Sequence, residues 1–223
     1  MLARTFLLGC CLILFFACSK EELGVMVDYE FDASPIPIAG STASLTITKG
    51  IAIIDEVEFE ADSEVKEGET EAEFEIELEQ SGLFTFDFIA GTVSPALTPF
   101  ELEPGFYEEV EIDLNLADDQ SEPVVILEGT YTDESDNTTP FRVEFDNDEE
   151  DIEAEVEELE VPESATAMIK INPAIWFGTI TAGMLDGATV NNDGVILISA
   201  NSNTELYNKI TEKFLLALSI EIK

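Results

Sequence analysis

Carboxylates are the side chains this sequence offers for chemistry: 49 Asp and Glu stand against 9 Lys and Arg, with no histidine and three cysteines. Without histidine, neither a Ser-His-Asp nor a Cys-His nucleophile can be assembled, and imidazole sites for zinc or copper are closed too. Carboxylates can still hold a hard cation, share a proton or meet positive charge. The densest run spans 144–163, where Asp146, Asp148, Glu150 and Asp151 could converge on calcium, which takes six to eight oxygen ligands. An EF-hand does not fit, because Asp151 and not glycine holds the sixth position from Asp146. The plainer reading of this run is a solvated strand face and loop. Asp118, Asp119 and Glu122, with Asp133, Glu134 and Asp136, read as loop acids flanking one hairpin. Paired acids also raise glycoside hydrolysis, which needs two carboxyls about 5 to 10 Å apart with one desolvated. The acids here fall at positions expected to face water, so a carboxylate-based glycan-processing enzyme comes third, after binding and calcium-dependent readings. Trp176, the single tryptophan, is the candidate for stacking on a sugar, although a Trp beside Phe177 is more often core.

The cysteines point to a compartment. Residues 1–17 hold one basic residue, Arg4, then an apolar stretch from Phe6 to Phe16 and the small Ala17, which is the layout of a secretory signal. A membrane-spanning helix needs about 20 apolar residues, and this run ends sooner, at Ser19-Lys20-Glu21-Glu22. Phe15-Phe16-Ala17-Cys18 resembles a bacterial lipoprotein box, with Phe where Leu is commoner three residues before the cysteine. Cys18-Ser19-Lys20-Glu21-Glu22 resembles the export signal of Bacteroidota surface lipoproteins. The resemblance implies a lipid on Cys18, with Ser19, Lys20, Glu21 and Glu22 as the signal for outer-membrane, cell-surface display. Several acyl chains would make a lasting anchor where one binds only marginally. Cys10 and Cys11 fall in the discarded leader, so the mature domain has no disulfide.

Cleavage would remove Arg4 and none of the acids, moving the net charge from −40 to −41. Nucleic acid is excluded as a partner, since phosphate binding relies on Lys and Arg. Disorder is not expected, because 45% of the residues are hydrophobic and the aromatic ones recur at regular spacing.

The elements that must position these acids read as strands. Ala72 to Glu79 alternates apolar and acidic residues, and Leu83 to Phe88 alternates too, the period of a strand with one wet face. A three-residue loop at Gln80-Ser81-Gly82 would make a hairpin with Leu78 opposite Phe84, Ile76 opposite Phe86 and Phe74 opposite Phe88. Further strands are expected around Val27 to Phe31, Leu45 and Ile47, Val57 to Ala61, Val110 to Leu116 and Phe141 to Phe145. Val124 to Leu127 reads as a central strand covered on both sides. Turns are expected at Pro104-Gly105, from Thr132 to Pro140 and at Asn192-Asp193-Gly194. Asn172-Pro173 should start a short helix through Trp176, and Ser202 with Glu205 a capping box ahead of Leu206, Ile210 and Phe214. Alternation at Leu216, Leu218, Ile220 and Ile222 predicts a closing strand.

The spacing predicts an all-β fold with minor α: an antiparallel, Greek-key-like β-sandwich with one or two short helices near the carboxyl terminus. Leu102 to Tyr107, Val110 to Leu116, Glu128 to Tyr131 and Thr139 to Val143 resemble a β-sandwich domain of unknown function in bacterial lipoproteins, over the middle third of the chain. The expected organisation is a signal peptide at 1–17, a lipidated tether at 18–24 and one acidic domain at 25–223. The expected function is noncovalent binding or an envelope structural role, with the membrane reached through the lipid and an unknown surface protein or polysaccharide as partner. The alternative is a calcium-stabilised adhesin or scaffold subunit. No cofactor is expected beyond possible Ca2+.

Overall fold

The computed structural model describes residues 25–63, 74–98, 105–117, 123–146, 152–161, 165–214 and 218–222. Its spine is β3, a strand of 20 residues from Ser44 to Ser63. The inward positions of β3 recur every second residue except at two places: Leu45 and Ile47, then Gly50, Ala52 and Ile54, then Val57, Phe59 and Ala61, all buried. Each step of three coincides with a register shift, at Ile47/Lys49 and at Ile54/Glu56. A β-bulge restores the buried face after a parity break, so segments that read as separate strands form one bent strand.

Strand β4, Phe74–Asp87, pairs antiparallel with β3 from Ser63 to Ile51. This overturns the expected hairpin, since Gln80-Ser81-Gly82 lies inside β4 and not in a turn. Ile76 pairs with Ala61 and Phe86 with Ala52. The even-numbered apolar positions of β4 suit a hairpin and a continuous strand equally, and the length of β3 supplies the partner that selects the strand. Gly82, at φ +147, absorbs the register shift between Ser81 and Phe84.

On its other edge β3 meets two strands laid end to end. β6, Gly105–Leu116, covers Asp62 to Ile54, and β7, Val125–Thr132, covers Ala52 to Ser44. The next lane repeats this plan, with β8, Thr138–Phe145, beside β7 and β9, Ile152–Val161, beside β6. β7 is interior to the sheet but covered on one face: Val125 and Leu127 are buried while Ile126 is half-buried. Short strands β2, Ile36–Pro37, β5, Thr92–Ser94, and β11, Ile196–Ile198, complete this nine-stranded sheet. A second sheet joins β1, Val25–Phe31, to β10, Ala165–Ile171, and the closing strand β12, Leu218–Ile222. The β1/β10 and β11/β8 pairs are parallel, a departure from the all-antiparallel expectation. The fold is all-β and sandwich-like with minor α.

Three short helices close the core: α1 at Pro173–Trp176, α2 at Ala182–Asp186 and α3 at Thr204–Thr211. Asn172 caps α1, accepting from the Ala174 N–H at 3.1 Å with Pro173 in the first turn, as the sequence predicts. The Ser202/Glu205 capping box does not form. Asn203 is the N-cap, at φ +50, and its amide is spent elsewhere, donating to the Thr189 and Leu197 carbonyls and accepting from the Thr189 N–H. Phe31 of β1 stacks on Phe88 at 5.4 Å and lies against Trp176 at 6.3 Å. Phe145 of β8 meets Phe214 at 4.8 Å and Tyr207 at 5.8 Å. Both sheets and all three helices therefore share one core.

Candidate acidic sheet face

Alternation along β3, β4 and β6 sends one residue in two inward and the intervening residue outward, and in β9 Glu155 and Glu157 are exposed. Over residues 56–62 of β3, 77–79 of β4 and 109–113 of β6 the outward residues are acids, and the register lines them up. Glu60 pairs with Glu77 on one side and Glu111 on the other, and Glu111 pairs in turn with Glu155. One row along, Glu58 lies between Glu79 and Asp113. On the other flank, Asp62 pairs with Glu109 and Glu109 with Glu157. Within these rows each cross-strand neighbour is another acid, about 5 Å away across the strands and about 7 Å along them.

Like charges directly opposite one another destabilise a sheet, and two of these carboxyls, Glu58 and Glu109, are raised in part by that repulsion. Glu58 is pushed up from the ordinary carboxylate value first by desolvation and then by Glu56, Asp113, Glu60 and Glu77. Glu109 is pushed up chiefly by Glu155, with Asp62, Glu157 and Glu108 adding. At the border of the grid, neutral donors serve Glu56: Asn115 Nδ2 at 3.1 Å and the Ser81 hydroxyl at 3.3 Å. Ser81 also donates to Glu79, holding that carboxyl below its ordinary value.

The other half of the same face is built differently. Lys49 of β3 reaches Glu128 of β7 at 3.3 Å, Arg142 of β8 also meets Glu128, and its Nε donates to Glu144. Charges alternate in sign there. The acidity of the β6/β9 half is a regional property of the sheet.

The predicted site residues are dispersed. Trp176 is 1% exposed, with its ring stacked on Phe214 at 5.1 Å and its indole N–H donating to the Phe214 carbonyl at 2.8 Å. Stacking on a sugar is thereby corrected to packing, because no ring face is open. Asp146 is exposed just beyond β8, whereas Asp148, Glu150 and Asp151 lie outside the described residues, as do Cys18, Ser19, Lys20, Glu21 and Glu22. Asp118, Asp119 and Glu122 lie outside them too. Asp133 shapes the β7–β8 turn, accepting from the Ser135 and Asn137 N–H groups at 2.7 and 2.8 Å and from the Asn137 side chain at 2.8 Å. These bonds hold its carboxyl low. Among the described residues no group of three acids is arranged to hold a metal ion.

A cleft of about 550 Å3 opens between α2 and α3, walled by Thr181, Met184, Thr204 and Glu205 with Leu206 beneath. Among the described residues its lining holds one carboxylate, Glu205. Sequence reasoning missed both the cleft and the grid. The grid was within reach, since period-2 acids mark each strand singly, but which acids align depends on a register the sequence does not print. Compared with protein-family models, curated proteins and solved structures, the chain matches none.

Proposed function

We propose that this chain is a lipid-anchored surface lipoprotein that works by noncovalent association, with the acidic half-sheet as its contact surface for a positively charged partner. The observation that carries this is the placement of like charges. One half of the sheet alternates acid and base, while the other aligns Glu58, Glu60, Glu109, Glu111 and Asp113 against further acids at an electrostatic cost. A flat strand surface of one sign steers a partner of the opposite sign and rejects like-charged ones. Nucleic acid is rejected on that ground. Display on the cell surface is supported by the lipobox-like Cys18 and the Ser19-Lys20-Glu21-Glu22 stretch.

The test is titration of a labelled oligolysine peptide, followed by fluorescence anisotropy. Neutralising the grid with E58Q, E60Q, E109Q and E111Q weakens binding at least about tenfold, whereas E134Q, D136N, E205Q and E212Q, with the same charge change, weaken it less than about twofold. Equal losses in the two variants would show a response to net charge alone and remove the face from the proposal. The calcium reading finds its described foothold in Asp146, exposed where β8 ends. Calorimetry decides it: heat at millimolar calcium with a raised melting temperature supports an ion-ordered scaffold, and no heat retires it.

A further inference from the structure

Every long lane of the large sheet breaks at one transverse level. In β3 the register shifts between Ile54 and Glu56. In β4 the matching irregularity falls at Gly82, between Phe84, opposite Ile54, and Ser81, opposite Glu56. In the next lane β6 stops at Leu116, opposite Ile54, and β7 starts at Val125, opposite Ala52. The peptide of Ile53 bridges that break, accepting from the Ala117 N–H at 3.0 Å and donating to the Val124 carbonyl at 2.8 Å. In the outer lane β8 ends at Phe145, paired with Val125, and β9 begins at Ile152, paired with Leu114. A seam therefore crosses the sheet, and charge changes character across it: Lys49, Glu128, Arg142 and Glu144 alternate on one side, and the acidic rows fill the other.

The geometry points to an ion-responsive half-sheet: the acidic half, β6 and β9 with the far ends of β3 and β4, opens and closes across the seam as a unit separate from β7 and β8, set by ionic strength. Ladder hydrogen bonds transmit strain along an unbroken strand, and here both outer lanes are interrupted, so among the described strands only β3 and β4 run across it. Screening sets the size of the effect. At about 0.01 M salt the Debye length is about 30 Å and all the rows repel one another; at about 1 M it is about 3 Å, shorter than the spacing between neighbours. The compensated half has little repulsion to screen. Local opening of such a unit is what amide exchange reports. The inference rests on the register and the charges, not on the proposed partner.

The experiment is hydrogen–deuterium exchange of the full mature chain in sodium chloride at about 0.01 M and about 1 M. The expected result is that amides of residues 105–116 and 152–161 slow about tenfold or more at high salt, while those of residues 125–132 and 138–145 change less than about twofold. A variant carrying E60Q and E111Q, both on the wet face, should lose most of that salt response in the acidic half at unchanged exchange in the other. Equal slowing of both halves, slowing of neither, or a salt response undiminished in the variant would overturn the device. Such an outcome would leave the oligolysine result untouched, so the two failures can be told apart.

Discussion

Trp176 illustrates how a residue's neighbours decide between two chemistries that its type permits equally. Its ring is held between Phe31 and Phe214, and its indole N–H meets the Phe214 carbonyl. Replacing it with phenylalanine keeps most of the buried area and strands that carbonyl, so W176F should lower unfolding stability by about 1 to 3 kcal/mol in urea titration. A loss near zero would mean the carbonyl finds another donor. The sequence carries this ambiguity openly, because a Trp beside another aromatic is compatible with core and with a binding platform. What decides it is the arrival of Phe31 from β1 and Phe214 from beyond α3, contacts between residues far apart in sequence. Asn203 makes a related point: Ser202 and Glu205 have the spacing of a capping box, but the Asn203 amide ties α3 to Thr189 and Leu197, which local spacing does not reveal.

At the scale of elements, alternation identified where strands lie and failed on where they end. Two inward sets of β3, Leu45 with Ile47 and Val57 to Ala61, read as separate strands and the Gly50, Ala52 and Ile54 set between them went unread, because each parity break resembles a chain reversal, and in β4 the Gln80-Ser81-Gly82 stretch has the residues of a turn. The structure uses these breaks as bulges within two long strands. Gly82 is where that account can be tested, since φ +147 suits glycine and strains an L side chain even with space beside it. G82A should cost about 1 kcal/mol, seen as a lower denaturation midpoint, with ladder amides of Ile76 and Phe86 still protected through β3. If the substitution proved neutral or stabilising, the positive φ would be wrong. The starting residues of α1 and the turn at Asn192-Asp193-Gly194 were legible, because proline, asparagine and glycine act locally. The register that assembles the acidic rows, the parallel β1/β10 pair and helix α2 were not, since each depends on partners distant in the chain.

For the molecule as a whole, crowded acids couple stability to pH. Glu58 and Glu109 bind protons more readily in the folded chain than in the unfolded one. Folding is thus strengthened as pH falls from neutrality toward the ordinary carboxylate value of 4.5, and that gain is lost as pH rises through their raised folded values. Asp32, Glu79 and Asp133 act oppositely: their hydrogen bonds stabilise the fold above the ordinary values and are lost as pH falls below them. A melting temperature that rises as pH falls from neutrality and then declines below the ordinary carboxylate values is the expected profile; a steady decline from pH 7 downward would contradict it. Such a domain suits the outside of a cell, where its charge keeps it soluble and turns like-charged molecules away. In the proposed account a lipid on Cys18 would place it there, and intact-mass measurement of protein extracted from native membranes tests that most directly. The expected result is a chain beginning at residue 18 and heavier than its sequence by a diacylglyceryl group and an amide-linked acyl chain. A chain that retains residues 1–17, or one that begins at an unmodified Cys18, would contradict the account.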